Sequence, residues 1–144
     1  MTLEEQIIAH EGIRLKVYRC PAGKLTIGIG RNLEDTGISQ AESRFLLNND
    51  ILRCRTGLSK VLPYWHTLTN MRQRVLVDMC FNLGQDGLLE FKKMLTALKK
   101  GDFDLAADEM LTSTWAHQVK TRARWLALAM RLDREPTAAD LKGE

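Results

Sequence analysis

Apolar side chains alternate in one short region of this chain, at Leu15 and Val17 and again at Leu25, Ile27 and Ile29. Alternation with period two places successive side chains on opposite faces of a strand, so both runs read as β structure. "CPAGK" between them reads as a turn, because Pro21 fixes φ and Gly23 tolerates positive φ. The rest of the chain carries helical periodicity or loop composition. That pattern predicts an α+β fold in which a small hairpin stands against a much larger helical part.

Ahead of the hairpin, Leu3, Ile7 and Ile8 recur at helical spacing and Gly12 supplies a stop. Glu11 therefore falls at the C-terminal end of a short first helix, where the helix dipole disfavours negative charge. "RNLEDTG" is a loop, and Ser39-Gln-Ala-Glu42 is a capping box opening a long helix that Pro63 ends. If unbroken at Gly57, that helix covers about twenty residues and ~30 Å, a strut between two lobes. Beyond Pro63 the signals are helical throughout: Met71 to Leu83 with a stop at Gly84, Leu88 to Lys99, Asp104 to Leu111, a new cap before Trp115, and Val119 to Leu132. The polar tail from Pro136 is expected to fray. The expected organisation is one domain over 1–144: helix 1–12, hairpin lobe 13–38, connecting helix 39–62, helical lobe 63–135 and tail 136–144.

Composition narrows the class. With 44% hydrophobic and 27% charged residues the chain is neither disordered nor fibrous. Cys20, Cys54 and Cys80 form no CxxC pair, which argues against a disulfide framework and a structural zinc site. No apolar run approaches the ~20 residues that span a bilayer, so stable membrane insertion is not expected. The opening "MTLEEQIIAHEG" is acidic where a signal peptide is basic. A net charge of +3 suits any polyanion, whether nucleic acid, lipid headgroup or cell wall, and by itself selects none.

Glu11, Cys20 and Thr26 stand in an E-x8-C-x5-T spacing around the hairpin. Glycosidic cleavage needs a proton donor beside the leaving oxygen and a second group across the sugar ring, either to activate water or to attack. A helix-end glutamate facing a hairpin can hold such an arrangement. Here "HEGIRLKVYRCPAGKLTIGIGRNL" and "MCFNLGQDGLLEFKKML", with "STWAHQVKTRARW" near the end, resemble the phage-type lysozymes and endolysins of glycoside hydrolase family 24. The resemblance covers most of the chain in the family's order.

It implies a lysozyme-like fold, a hairpin lobe and a helical lobe joined by the long helix, and hydrolysis of the β-1,4 bond between N-acetylmuramic acid and N-acetylglucosamine in bacterial peptidoglycan. It further implies that Glu11 is the general acid and that Thr26 holds the attacking water. Cys20 falls where most members carry aspartate, a place where the family accepts either residue. Arg122 matches an arginine that approaches the catalytic glutamate, and Gly30, Asn32, Phe81, Asn82, Glu109 and Gln118 fall near positions lining the saccharide cleft. The partners implied are peptidoglycan glycan strands, with no nucleic acid, no metal and no cofactor; the protein is expected to be a monomer, made in the bacterial cytoplasm and acting on the wall after release.

Three roles stay open for Cys20: base for water, nucleophile, or a small polar residue beside Glu11, Thr26 and water. A thioglycosyl bond resists hydrolysis, which ranks the nucleophile below the base. Lys16, Arg19 and Lys24 lie close in sequence and would favour a thiolate if close in space. Cys54 and Cys80 read as packing residues, and at least two of Trp65, Trp115 and Trp125 as core. Rival functions are a lytic transglycosylase, a wall-binding relative without turnover, and a small basic helical protein on nucleic acid.

Overall fold

The computed structural model describes residues 1–143. Its contacts divide the chain into two compact units, Met1–Leu47 and the residues from Asn48 onward. The first unit holds helix α1 (Leu3–Glu11) and the strands β1 (Arg14–Arg19), β2 (Leu25–Gly28) and β3 (Arg31–Asn32). Thr2 caps α1 reciprocally with Glu5, each side chain accepting the other's backbone N–H at 3.0 and 2.8 Å. Gly12 ends the helix as expected, with φ 73° and its N–H donating to Ile8 O at 2.8 Å.

The sheet is antiparallel in the order β1-β2-β3, pairing Tyr18 with Thr26 and Thr26 with Asn32. It has one strand more than the alternating runs announce. Gly28 and Gly30, both with φ near 70°, reverse the chain after β2, and two residues of β3 are too few to show a period.

Helix α2 (Gln40–Val61) runs unbroken through the division between the units. Its N-terminus carries the expected box: Ser39 N–H donates to Glu42 Oε1 at 2.9 Å, and Glu42 N–H to Ser39 Oγ at 3.1 Å. Gly57 does not interrupt it. Gln85 Oε1 occupies the place a Cβ on Gly57 would take, so the glycine serves close packing instead. A single glycine costs about 1 kcal/mol against alanine, too little by itself to break a helix of 22 residues.

The second unit continues through a 3-10 turn at Trp65–Thr67 into α3 (Asn70–Leu89), α4 (Lys92–Lys100), α5 (Phe103–Leu111), α6 (Thr114–Val119), α7 (Thr121–Leu132) and α8 (Ala138–Lys142). Gly84 leaves the helical region inside α3 (φ 77°, ψ 162°), so the expected stop is a kink. The expected helix from Val119 loses its first residue to α6, because Lys120 takes φ 40° and ψ −96° between α6 and α7. The described part of the tail is helical rather than frayed over Ala138–Lys142: Thr137 and Asp140 form a capping box that nucleates α8, and Arg134 binds Asp140 at 2.7 Å. These helices close over a core that includes Leu58, Leu76, Met79, Leu88, Met94, Met110, Leu126 and Met130. Each such side chain contributes about 1.5–3 kcal/mol by leaving water. Trp65, Trp115 and Cys80 are buried with them, as the sequence suggests, and Trp125 is half-buried. The whole is an α+β fold, with eight α-helices and one three-stranded sheet among the described residues.

The capping box also binds Arg31, whose guanidinium meets Glu42 at 2.7 Å. That hydrogen bond and those from Ser39 hold the Glu42 carboxyl at about 2, below its ordinary 4.5. A carboxyl lowered in the folded state stabilises it fully above the unfolded value and loses that contribution as pH falls. The thermal midpoint of the parent should therefore exceed that of Glu42→Gln at neutral pH, and the gap should close between about pH 4.5 and pH 2. Melting curves of both proteins across that range check it; a gap constant with pH would count against it.

Candidate functional site

Glu11 is the last residue of α1, exposed, and its carboxyl lies over the turn that joins β2 to β3. A Cβ built on Gly30 would stand 2.8 Å from both Cδ and Oε2 of Glu11 and 3.2 Å from Cγ. Carbon atoms in ordinary contact keep about 3.5–4.0 Å apart, so a side chain at this place would push the Glu11 carboxyl off its seat. Gly30 also has φ 69°, in the left-handed region that side chains disfavour. The backbone conformation favours glycine there, and the bare Cα leaves the carboxyl its place.

Cys20 closes the β1–β2 turn, where its N–H donates to Lys24 O at 2.9 Å and its carbonyl accepts from Gly23 N–H at 2.8 Å. The thiol is half-buried. The Lys24 backbone N–H, opposed by partial burial and helped by the Ala22 N–H and the Thr26 hydroxyl, lowers its pKa below the ordinary 9.0. The neighbouring cations are not the cause. Arg19 and Lys24 are engaged by acids of the following loop, Arg19 with Glu34 at 3.6 Å and Lys24 with Asp35 at 3.4 Å. Backbone dipoles of a tight turn do what charge was expected to do.

Thr26 is 3% exposed, the one buried polar residue among those described. Its hydroxyl donates to Lys24 O at 2.9 Å and also reaches the Cys20 sulfur. A hydroxyl has one proton, so the carbonyl and the sulfur compete for it. Asn32 lies opposite Thr26 on β3, but its amide is occupied by its own loop, accepting from Glu34 N–H and Asp35 N–H at 3.0 and 2.9 Å. The structure therefore brings Glu11 onto Gly30 and Cys20 onto Thr26, with Asn32 shaping the loop beside them.

In the helical unit, Glu109 and Gln118 line one cavity of about 750 Å³. Phe91 and Trp115 also line it, their rings edge to face at 6.0 Å and 81°. Asn82 accepts from Trp115 Nε1 at 2.7 Å, which fixes the indole, while Phe81 stands 45% exposed nearby in sequence. Sequence reading missed Phe91, Lys92, Lys93 and Trp115 as cavity residues. The doublet Lys92-Lys93 beside an aromatic was the available signal.

The resemblance implies that Arg122 approaches Glu11; within the helical unit its guanidinium is held by Asp78 at 2.7 and 2.8 Å. Nothing in a separation of 44 residues announces that pair. Burial, with the Cys54 sulfur beside it, pushes the Cys80 thiol up to about 12, in keeping with a packing role.

The sequence model of the family described as phage lysozyme matches residues 8–135. The chain is 32% identical, over 85% of its length, to the pre-baseplate central spike protein Gp5 of Enterobacteria phage T4, and spans 26% of that protein. It is 26% identical to a probable T4-type lysozyme 1 of Dictyostelium discoideum, covering 85% of this chain and 89% of that one. It is also 29% identical to an endolysin of Acyrthosiphon pisum secondary endosymbiont phage 1, covering 71% of this chain and 70% of that one.

Replacing Gly30 by alanine should displace the Glu11 carboxyl and lower turnover about 100-fold, at a stability cost of about 1–2 kcal/mol. Wall-clearing rates and chemical denaturation measured together check it. Equal loss in Gly30→Ala and in a Gly23→Ala control would mean that only the backbone matters. Among the three thiols, Cys20 should be alkylated first by iodoacetamide and Cys80 last, as peptide mapping of a partial reaction will show.

Proposed function

The chain belongs to the phage lysozyme family, and from that premise we propose that it cleaves the β-1,4 bond between N-acetylmuramic acid and N-acetylglucosamine in peptidoglycan and so lyses bacterial cells. At family level the chemistry is lysozyme-type cell-wall hydrolysis by a glycosidase. The finer reading rests on one observation above all: the Glu11 carboxyl is seated directly on the bare Cα of Gly30, in space that a side chain there would take. A general acid must be placed within hydrogen-bond reach of the leaving oxygen, and a close-packed seat is how such placement is achieved.

In the proposed reaction Glu11 donates its proton to the glycosidic oxygen as the C–O bond breaks. Water held by Thr26 gives a proton to the Cys20 thiolate and attacks the anomeric carbon. Exchange of one proton between Cys20 and Glu11 through solvent restores the starting state. A lowered thiol pKa enlarges the thiolate fraction that can act as base, which favours this role for Cys20. With a water between acid and base the product is inverted. Gly30 and Asn32 shape the site around the acid. Phe81, Asn82, Glu109 and Gln118 bind saccharide on the helical unit, and Arg122 is the supporting cation. The enzyme acts as a monomer, without metal or cofactor, on glycan strands reached after release from the bacterial cytoplasm.

Purified peptidoglycan tests this reading. Glu11→Gln should lose at least about 100-fold in rate, the typical worth of a general acid. Cys20→Ala should fall strongly and Cys20→Asp should recover most of the loss. Near-parental activity in Cys20→Ala would remove the thiol from the mechanism. Products should carry free reducing ends; 1,6-anhydro ends would assign the chain to the lytic transglycosylases.

A further inference from the structure

One helix, α4, carries four lysines and no acid. The chain has 21 basic and 18 acidic residues, and without the four lysines of α4 the balance is 17 against 18. At 100° per residue, Lys92, Lys93, Thr96, Lys99 and Lys100 fall within an arc of about 120°. All five are exposed, while Met94, Ala97 and Leu98 on the opposite side are buried. α4 carries no acid, and among the described residues none of its lysines forms an ion pair within 4.0 Å. The two lysine doublets lie seven residues apart, about 10 Å along the helix.

We propose that this lysine face of the helical unit is a docking surface for the carboxylate-bearing peptide branches of peptidoglycan. The inference rests on the proposed function for the identity of the polymer. Three features select a branched, hydrated polyanion over other anionic partners. First, the face borders two depressions: one of about 750 Å³, with Lys92 and Lys93 on its wall, and one of about 290 Å³, with Lys92, Lys93, Thr96 and Lys100. Short side branches can enter depressions, and a flat bilayer cannot. Second, the apolar side of α4 is packed in the core, so the helix has no face left to insert into lipid. Third, Glu109 lines both depressions and Glu90 the larger one. Carboxylates there oppose a backbone charged at every unit, such as that of nucleic acid, at more points than they oppose a branch whose few carboxylates pair with the outer amines.

Retention on such a face keeps the enzyme on the wall between cleavages, and its strength is set by ionic strength. The test uses the full chain carrying Glu11→Gln, so that substrate survives. Its binding to sedimented peptidoglycan is compared with that of the same chain bearing Lys92→Gln, Lys93→Gln, Lys99→Gln and Lys100→Gln together. Walls are used as isolated and after their carboxylates have been converted to amides with carbodiimide and ammonia. On untreated walls the four-lysine variant should bind about tenfold more weakly, with a shallower dependence on salt. On amidated walls the two proteins should bind alike. A variant with arginine at all four positions should bind as the parent does, which separates charge from folding.

Equal binding of parent and glutamine variant to untreated walls would overturn the proposal. So would a difference that survives amidation, or tighter binding of the parent to phosphatidylglycerol vesicles or duplex DNA than to walls. Turnover is read separately on the chain with Glu11 intact. Lysine-dependent binding without hydrolysis would sink the proposed reaction and leave the surface standing; hydrolysis without lysine-dependent binding would do the reverse.

Discussion

The carboxyl of Glu11 rests on a bare Cα, and much of the N-terminal unit is arranged to let it. For the contact to exist, α1 must end where it does, which Gly12 secures by turning the chain at positive φ. The chain must also double back after β2 so that Gly30 arrives beneath the carboxyl, which requires positive φ at Gly28 and Gly30. Shifting the end of the helix by one residue would rotate the carboxyl about 100° around the axis and away from the turn. Acid, helix stop and turn glycines therefore form one constraint, and none can change alone.

A different logic governs the thiol. Cys20 is conditioned by the backbone of its own turn, and Thr26 stands between a carbonyl and a sulfur with one proton to give. A turn of fixed geometry presents its N–H groups whatever the surrounding charges do, which makes its effect on the sulfur less sensitive to salt than a lysine's would be. On the helical unit, fixed geometry again comes from neighbours: Asn82 orients the Trp115 indole, and Asp78 grips Arg122. These pairs set the direction of side chains whose own torsions would leave them free.

Much of this was legible in the residues, because periodicity and caps are local. The Ser39–Glu42 box, the stop at Gly12 and the turn at "CPAGK" depend on neighbours within a few positions and were readable for that reason. The α+β class followed from the single alternating region. What escaped was either too short or too distant. β3 has two residues, α8 is nucleated by a threonine in a tail that composition marks as polar, and Lys120 breaks a helix without glycine or proline. Gly57 was legible as a glycine but not as the seat of Gln85, a contact that exists only once α2 and α3 pack. In the candidate site, the residue types around the hairpin were visible. That Gly30 carries the acid, and that backbone rather than lysine tunes the thiol, are matters of three-dimensional contact.

The burial of side chains is unevenly shared along the chain. Residues 1–47 include a single buried side chain, that of Thr26, whereas the apolar core lies beyond Leu47. Cohesion of the first unit comes from ladder hydrogen bonds, caps and exposed ion pairs, interactions that water competes for directly. Amide protons of this unit should then trade with solvent through small local openings, while those of α3 and α7 wait for the whole core to come apart. Glu11, Cys20 and Thr26, the residues proposed to do chemistry, thus sit in the part of the molecule that opens most cheaply.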